Sequence, residues 1–356
     1  MEKTVVVVKW NIEHIWENGS EFKNHKDALH SVLPQISEHW IFAAIGHRVV
    51  HGGEYFKKPV IITEEVISKI EKCIDLAPLH NPANLMVISA CKEFFPGIQQ
   101  IAVFDTAFHQ TMKPAHYLYA LPTKYYETHK IRRYGFHGIS HQYVYEKLLA
   151  DYNVSVDSKV ITCHIGNWAS ITAIKGWKVI ETSMGMTPLE WLVMGTRSGN
   201  IDPAIVTYLM THESMSAEQI DDLLNKQSWL LGISWVSNDM RDIIAWIQQW
   251  NEKCSLALDM YINSLVKYIW SYIALLWWVD VIVLTAGVME HRTIVRTMLL
   301  EKLSWMWIVL DTQANQNDAS LEKIVSTPDS KITVVVIPTN EEYMIAKETQ
   351  KLISNS

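Results

Sequence analysis

Four polar residues stand where an α/β chain would place its chemistry. Arg48 follows the apolar run Ile41–Gly46, within His47-Arg48-Val49-Val50-His51-Gly52-Gly53, and Asp105 follows the run Ile101–Phe104. His137 is held between Gly135 and Gly138, and Arg197 sits in Gly195-Thr196-Arg197-Ser198-Gly199. Ligands of open α/β sheets bind beyond the carboxyl ends of strands, and a guanidinium presents a planar fork of donors to an anion. Arg48 therefore reads as an anion ligand, with a structural ion pair as the alternative. Asp105 reads as a catalytic or metal-linked carboxylate, or as the cap of the segment after it. A histidine between glycines, just ahead of a helix, is poorly placed to fill a core and well placed to donate a hydrogen bond to an anion. His141, within that helix, is the weaker candidate.

The stretch Lys159–Pro203 concentrates further polar groups. Val160–Cys163 and Ala169–Ile174 read as the two strands of a hairpin around His164-Ile165-Gly166-Asn167, a turn whose backbone N–H groups can face one small volume and hold a phosphate chain. Thr182-Ser183-Met184-Gly185 and Asp202-Pro203 add hydroxyls and a carboxylate. Val281–Leu284 running into Thr285-Ala286-Gly287 is the strand, turn and helix order used for nucleotides, without the glycine spacing of a dinucleotide fold or a P-loop. Glu341 and Glu342 follow a last strand, Val334–Pro338, as a magnesium-handling site would need.

The elements that must position these groups read in order. A strand Thr4–Val8 is followed by a helix Asn24–Leu33 stopped by Pro34; then come a helix Thr63–Ile74 with Thr63 as cap, a proline-fixed loop Leu76–Pro82 around His80, and a helix Asn84–Phe95. Ser140 is the expected cap of a helix His141–Leu149. Helices are expected over Pro203–Met210, Ser216–Leu224, Asn238–Trp250 and Lys253–Leu275, with Leu230–Ser237 as a loop.

Composition narrows the class. With 31 basic against 38 acidic residues and a net charge of −7, a chain of 356 residues does not have the basic face that nucleic-acid binding needs. Cys73, Cys91, Cys163 and Cys254 are widely spaced and form no CxxC pair, which predicts buried thiols in a reducing, cytoplasmic setting. No signal peptide is expected, and the apolar window Tyr268–Val279 is short for a membrane span and broken by Asp280. One feature is abnormal: 14 glycines against 15 tryptophans, where glycine usually makes up ~7 % of a chain. Trp168, Trp177 and Trp235 stand in turns where glycine would take positive φ cheaply and let a ligand approach the backbone.

Seven segments in order, HRVVHGG from His47, LAPLHNP from Leu76, VFDTAFHQ from Val103, YGFHGISH from Tyr134, TPLEWLVMGTRSGNIDP from Thr187, the turn Thr285–Glu290 and PTNEE from Pro338, resemble the acetokinase family. The resemblance implies an α/β, two-domain fold of the actin, hexokinase and sugar-kinase type with a ligand cleft between the domains. The first domain is expected over residues 1–104, completed by 343–356, and the second over 105–342. It further implies a homodimer that uses magnesium to move the γ-phosphoryl of ATP to acetate, reversibly giving ADP and acetyl phosphate; a propionate-preferring kinase, or a catalytically impaired shell with this fold, is the alternative. Carried onto this chain, Arg48 and Arg197 resemble the arginines at the carboxylate and the transferring phosphoryl, His137 the transition-state histidine, Asp105 the essential aspartate and Glu341 the magnesium glutamate. Val50, Leu79, Phe136 and Pro188 resemble the walls of the acetate pocket, with His80 in support. His164, Gly166, Asn167, Asp239, Met240, Arg241 and Gly287 resemble the nucleotide side. Val8-Lys9-Trp10-Asn11-Ile12-Glu13 departs from the family's Ser-rich first turn, Asn200 from an Asp, Trp168 and Trp191 from glycines, and Met289 with His291 from the Gly-x-Gly-Glu-Asn turn. These changes predict a weakened donor side.

Overall fold

The structure is a computed structural model that describes residues 42–190, 192, 194–317 and 319–354, with 27, 28, 31 and 34. The expected strand Thr4–Val8, the turn after it, most of the helix Asn24–Leu33 and Trp191 lie outside the described residues. The chain divides into two compact units, one up to Phe108 with Asn340–Ser356, the other His109–Thr339.

In the first unit, β1 (Ala44–Val49), β2 (Val60–Ile61) and β3 (Gln99–Phe104) form a sheet ordered β1-β3-β2. β1 runs parallel to β3 with Arg48 opposite Val103. Val49, Phe56, Ile70, Ile88, Ala102 and Phe104 make a buried core, with the Phe56 and Phe104 rings stacked at 4.3 Å. The helix Glu64–Glu71 starts as expected: Thr63 Oγ1 accepts from Val66 N at 3.3 Å, and two glutamates occupy the first turn. The next helix is Asn81–Phe94, three residues earlier than expected at its start. Pro82 sits in its first turn, where a missing N–H costs nothing. The helix Glu341–Ser354 packs on β1, and Gly46 is what allows the approach, since a Cβ there would run into Ile345 and Thr349.

In the second unit, β4 (Lys159–Ile165), β5 (Ala169–Lys175), β6 (Lys178–Thr182), β7 (Val281–Thr285), β8 (Lys323–Ile324) and β9 (Thr333–Val336) form a sheet ordered β6-β5-β4-β7-β9-β8. β4 to β6 is the expected antiparallel hairpin with one more strand, whereas β4, β7 and β9 run parallel. The helix Glu252–Leu276 packs on β4–β6 and buries Tyr261, Leu265, Ile269 and Tyr272. Ser216 caps Ala217–Lys226 with a reciprocal Gln219 contact, a capping box. The segment expected as a loop contains a helix, Trp229–Ser234: Gly232 and Ser234 look like breakers, but Leu230 is anchored in the core. The four cysteines are free and buried.

Of the eleven non-glycine residues with positive φ among the described residues, six are tryptophan: 177, 229, 235, 250, 277 and 307. An L-residue in this region costs roughly 1–2 kcal/mol, and glycine avoids that cost.

Candidate active site

In the first unit the parallel pairing of β1 and β3 delivers Arg48 and Asp105 to the same end of the sheet. Asp105 follows β3 directly, its N–H donates to Val49 O at 3.1 Å, and its carboxylate pairs with the Arg48 Nη2. Arg48 Nε lies 3.8 Å from Glu341 Oε2, at the start of the last helix. Asp105 is fully buried, and its Oδ1 has no hydrogen-bond partner among the described residues. Asp105's charge holds the Arg48 guanidinium further into its protonated form. Burial, reinforced by Asp105 and only partly offset by Arg48, pushes the Glu341 carboxyl up to about 7.

The turn after Arg48 is locked by side chains from the next helix: Asn84 Oδ1 accepts from Val50 N at 3.1 Å, and Asn81 Oδ1 accepts from His51 N at 3.1 Å. A Cβ at Gly52 would meet the Phe104 ring at 2.9 Å, so only glycine fits there. Val50 is buried, His80 is half-buried as the residue before the helix Asn81–Phe94, and Leu79 is 75 % exposed.

In the second unit His137, not Ser140, is the residue that precedes the helix Gly138–Asp151, and it takes a left-handed backbone at φ 56°. Ser140 is spent elsewhere, on His164 Nδ1 at 2.8 Å and Thr339 Oγ1 at 2.7 Å. His137 Nδ1 meets Ser170 Oγ at 2.8 Å, and its ring stacks on His164 at 4.1 Å. Phe136 is buried and its carbonyl meets His109 Nε2 at 3.0 Å; Pro188 is half-buried in the loop after β6.

Gly166, Asn167, Asp239, Met240, Arg241 and Gly287 line one cavity of about 460 Å³. His164 faces His137 and Ser140 rather than that cavity. The sequence reading missed Asn238, Tyr261, His291 and Arg292 as lining groups. A histidine and an arginine just after the Thr285–Gly287 turn were the available signal. Asp239 caps the helix Met240–Ile247 and pairs with Arg241, which holds its carboxyl below the usual range. Ala286, at φ 67° and ψ 167°, occupies a backbone region almost reserved for glycine, and Glu290 Oε1 secures it by accepting from Ala286 N at 2.6 Å. Met289, expected to disturb this turn, is fully buried and its side chain does not line the cavity.

At the Gly166–Asn167 side of the cavity, Gly195 N donates to Asn167 O at 3.2 Å, and a Cβ on Gly195 would strike Asn167 Oδ1. Two residues on, the Arg197 guanidinium lies 4.2 Å from the Trp168 ring centroid. Arg197 is 9 % exposed, its Nη1 has no hydrogen-bond partner among the described residues, and burial lowers its pKa. A buried guanidinium facing an indole instead of a carboxylate has its charge in reserve for an anion.

The acetokinase family pattern matches residues 1–347. The chain belongs to the acetokinase family. Acetate kinase of Thermoanaerobacter pseudethanolicus is 51 % identical over 343 residues, 94 % of this chain and 85 % of the relative. Among solved structures, Porphyromonas gingivalis acetate kinase superimposes with a TM-score of 0.89 at 44 % identity, covering 94 % of this chain and 86 % of that one. A propionate kinase from Francisella tularensis gives 0.87 at 42 %, over 94 % and 85 %. The fold is accordingly the two-domain α/β fold of actin, hexokinase and the sugar kinases. No helix among the described residues is long and apolar enough to cross a membrane.

Proposed function

We propose that this acetokinase moves the γ-phosphoryl of ATP to acetate, reversibly, giving ADP and acetyl phosphate. The observation that carries the reading is Arg197, a buried guanidinium without a carboxylate partner among the described residues, beside the Asn167 turn of a nucleotide-sized cavity. An acetate oxygen forms a bond to Pγ as the bond from Pγ to the bridging oxygen breaks, and ADP leaves with the electron pair. Acetate is already ionised, so no proton has to move. Charge collects on the three equatorial oxygens of the phosphoryl. Arg197 and His137 supply donors for that charge, and Arg48 is the acetate ligand, positively held by Asp105 and Glu341.

The residues also suit magnesium, which takes one or two carboxylates and otherwise water and phosphate oxygens. Asp105 has an unsatisfied buried oxygen, and burial, with the Asp105 charge added to it, keeps Glu341 partly protonated, both of which a divalent ion relieves. Asp105 and Glu341 would hold the ion, which neutralises phosphate charge when bound. Among the described residues no cluster of three or more His, Cys, Asp or Glu forms a complete protein-only metal site.

A second reading rests on Trp168. Its indole covers the Arg197 guanidinium, so the tryptophan form of the chain binds acetate but transfers phosphoryl slowly. A hydroxamate assay run with acetate and with propionate tests both readings. Turnover with acetate above propionate supports the proposal, and no turnover with either acid even after Trp168→Gly refutes it. A homodimer remains part of the proposal, checked by sedimentation, where a single species near the chain mass of 41.0 kDa would refute it.

A further inference from the structure

Tryptophan stands in glycine's backbone at six places. Trp235, Trp277 and Trp307 each end a helix in the left-handed conformation, at φ 59°, 61° and 59°, with their N–H groups donating to Leu231 O, Ala274 O and Ser304 O. That is the position where helices are ordinarily closed by glycine. Trp177 follows Gly176 in the β5–β6 hairpin, both at positive φ, which is the two-residue turn that calls for glycine or asparagine. Trp250 closes the turn after the helix Met240–Ile247 at φ 61°, and Trp229 opens a helix at φ 49°.

Ring contacts offset little of this: Trp177 meets Tyr145 edge-on at 5.0 Å, and Lys253 and Lys331 lie over the exposed Trp235 and Trp307 rings at 4.3 and 4.6 Å, where such a contact contributes less than the left-handed backbone costs. Trp250, Trp277 and Trp235 are 92 %, 91 % and 78 % exposed, although the indole is among the most apolar groups a chain can carry. Trp229, the least exposed of this set to be caught in a helix start, buries an Nε1 with no hydrogen-bond partner among the described residues. A bulky residue at positive φ is an outlier even once. Six occur together in a chain with 14 glycines and 15 tryptophans.

We infer that these six positions carry glycine in the protein its source makes, because one triplet behind them is read there as glycine. UGA is the candidate triplet: its meaning differs between genetic codes, and it lies one base from the glycine triplet GGA. If Trp168 shares the triplet, the Arg197 guanidinium faces an open phosphate turn in the working protein. This consequence rests on the proposed function; the six backbone positions do not.

The test is the peptide masses of the protein purified from the cells that produce it, read beside the codons of its gene. Glycine masses at 177, 229, 235, 250, 277 and 307, over one shared triplet, are expected. Tryptophan masses at these positions overturn the inference, whatever the activity of the protein. A second arm compares the tryptophan form with a variant carrying all six Trp→Gly changes. The glycine form should melt several degrees higher, and an equal or lower melting temperature overturns the backbone argument.

An independent observation concerns His137. His141 is fully buried, and burial drives its pKa well below the ordinary value, so its ring carries one N–H. Its Nδ1 meets Thr162 Oγ1 at 2.7 Å and its Nε2 meets Ser170 Oγ at 2.7 Å; Ser170 Oγ in turn meets His137 Nδ1 at 2.8 Å. Among the described residues the other acceptor open to the Thr162 hydroxyl is Thr172 O, at the limiting distance of 3.5 Å, against 2.7 Å to His141 Nδ1, so we assign the hydroxyl as donor to His141 Nδ1. His141 Nε2–H then donates to Ser170, and the Ser170 hydroxyl donates to His137 Nδ1. The geometry points to Ser170 and His141 as positioning residues that keep the His137 proton on Nε2. His164, stacked on His137, and His109, 5.7 Å from His141, are the other titratable rings in the cluster. Imidazole ¹⁵N shifts of the folded protein should show an Nε2–H His137 that becomes a tautomer mixture in Ser170→Ala, read below the variant's lowered melting temperature, since His141 loses a buried acceptor there. An Nδ1–H ring in the parent, or no change in the variant, overturns the assignment.

Discussion

Replacing Trp168 with glycine should tighten nucleotide binding, and the size of the effect follows from the contact with Arg197. The guanidinium sits 4.2 Å from the indole centroid and is almost wholly buried. A desolvated cation over a tryptophan face is held by ~2 kcal/mol. Arg197 must give up that contact to reach a phosphate, so the indole acts as a competitor of the nucleotide. Removing it should lower the Kd for ADP with magnesium by about tenfold to thirtyfold, since ~1.4 kcal/mol is a factor of ten. Calorimetric titration of ADP into the parent, Trp168→Gly and Trp168→Phe measures this, with phenylalanine keeping a weaker face and giving an intermediate value. Repeating the set in an Arg197→Ala background isolates the coupling. If the gain persists without Arg197, the indole blocks the phosphates sterically and the competition argument is wrong. If Trp168→Gly binds ADP no better than the parent, both accounts fail.

Other outcomes follow from the same contacts. Arg48→Ala should cost ~3 kcal/mol of transition-state stabilisation, because it removes a ligand and leaves the buried Asp105 charge unpaired; a variant retaining more than a tenth of parent turnover in the hydroxamate assay refutes the role. Trp277→Gly should stabilise the protein by ~1–2 kcal/mol through its left-handed cap, as read by urea unfolding. In metal-free protein, Glu341 at about 7 keeps a proton between pH 4.5 and 7 that the unfolded chain has released. Stability therefore falls across that window as pH rises and levels off above it, by roughly 2 kcal/mol after discounting for partial exposure. Glu341→Gln should flatten the slope, and an unchanged slope sinks the assignment.

What was legible in the sequence was the set of side chains delivered by strand ends. Arg48 and Asp105 could be picked out because each follows an apolar run, and their pairing needs only that the two runs be parallel neighbours. The hairpin around Asn167 was equally plain from alternation and a polar turn. Local rules failed where one residue had two possible jobs. Ser140 looks like a cap, but His164 and Thr339 compete for its hydroxyl and win. Asn81 looks like loop, yet its amide clamps the His51 backbone and carries the helix start upstream. Met289 looks like damage to a nucleotide turn, although its side chain is directed into the core. Tyr261 reaches the cavity from the helix Glu252–Leu276, a placement that no spacing along the chain reveals, whereas Asn238 adjoins the expected Asp239.

The two groups of candidate site residues differ in what they ask of the chain, and that decides how each should tolerate substitution. Arg48, Asp105 and Glu341 act through charge and are held by one another, so neutral changes at turns nearby leave them intact. The cavity proposed for the nucleotide is lined in part by glycine backbone: Gly166, Gly195 and Gly287 line it, and Gly195 approaches Asn167 so closely that a Cβ cannot fit. A surface made of peptide groups works only while nothing projects from it. A large side chain in one of its turns is therefore the change to test there, and Trp168, directly after the lining residue Asn167 and 4.2 Å from the Arg197 guanidinium, is so placed.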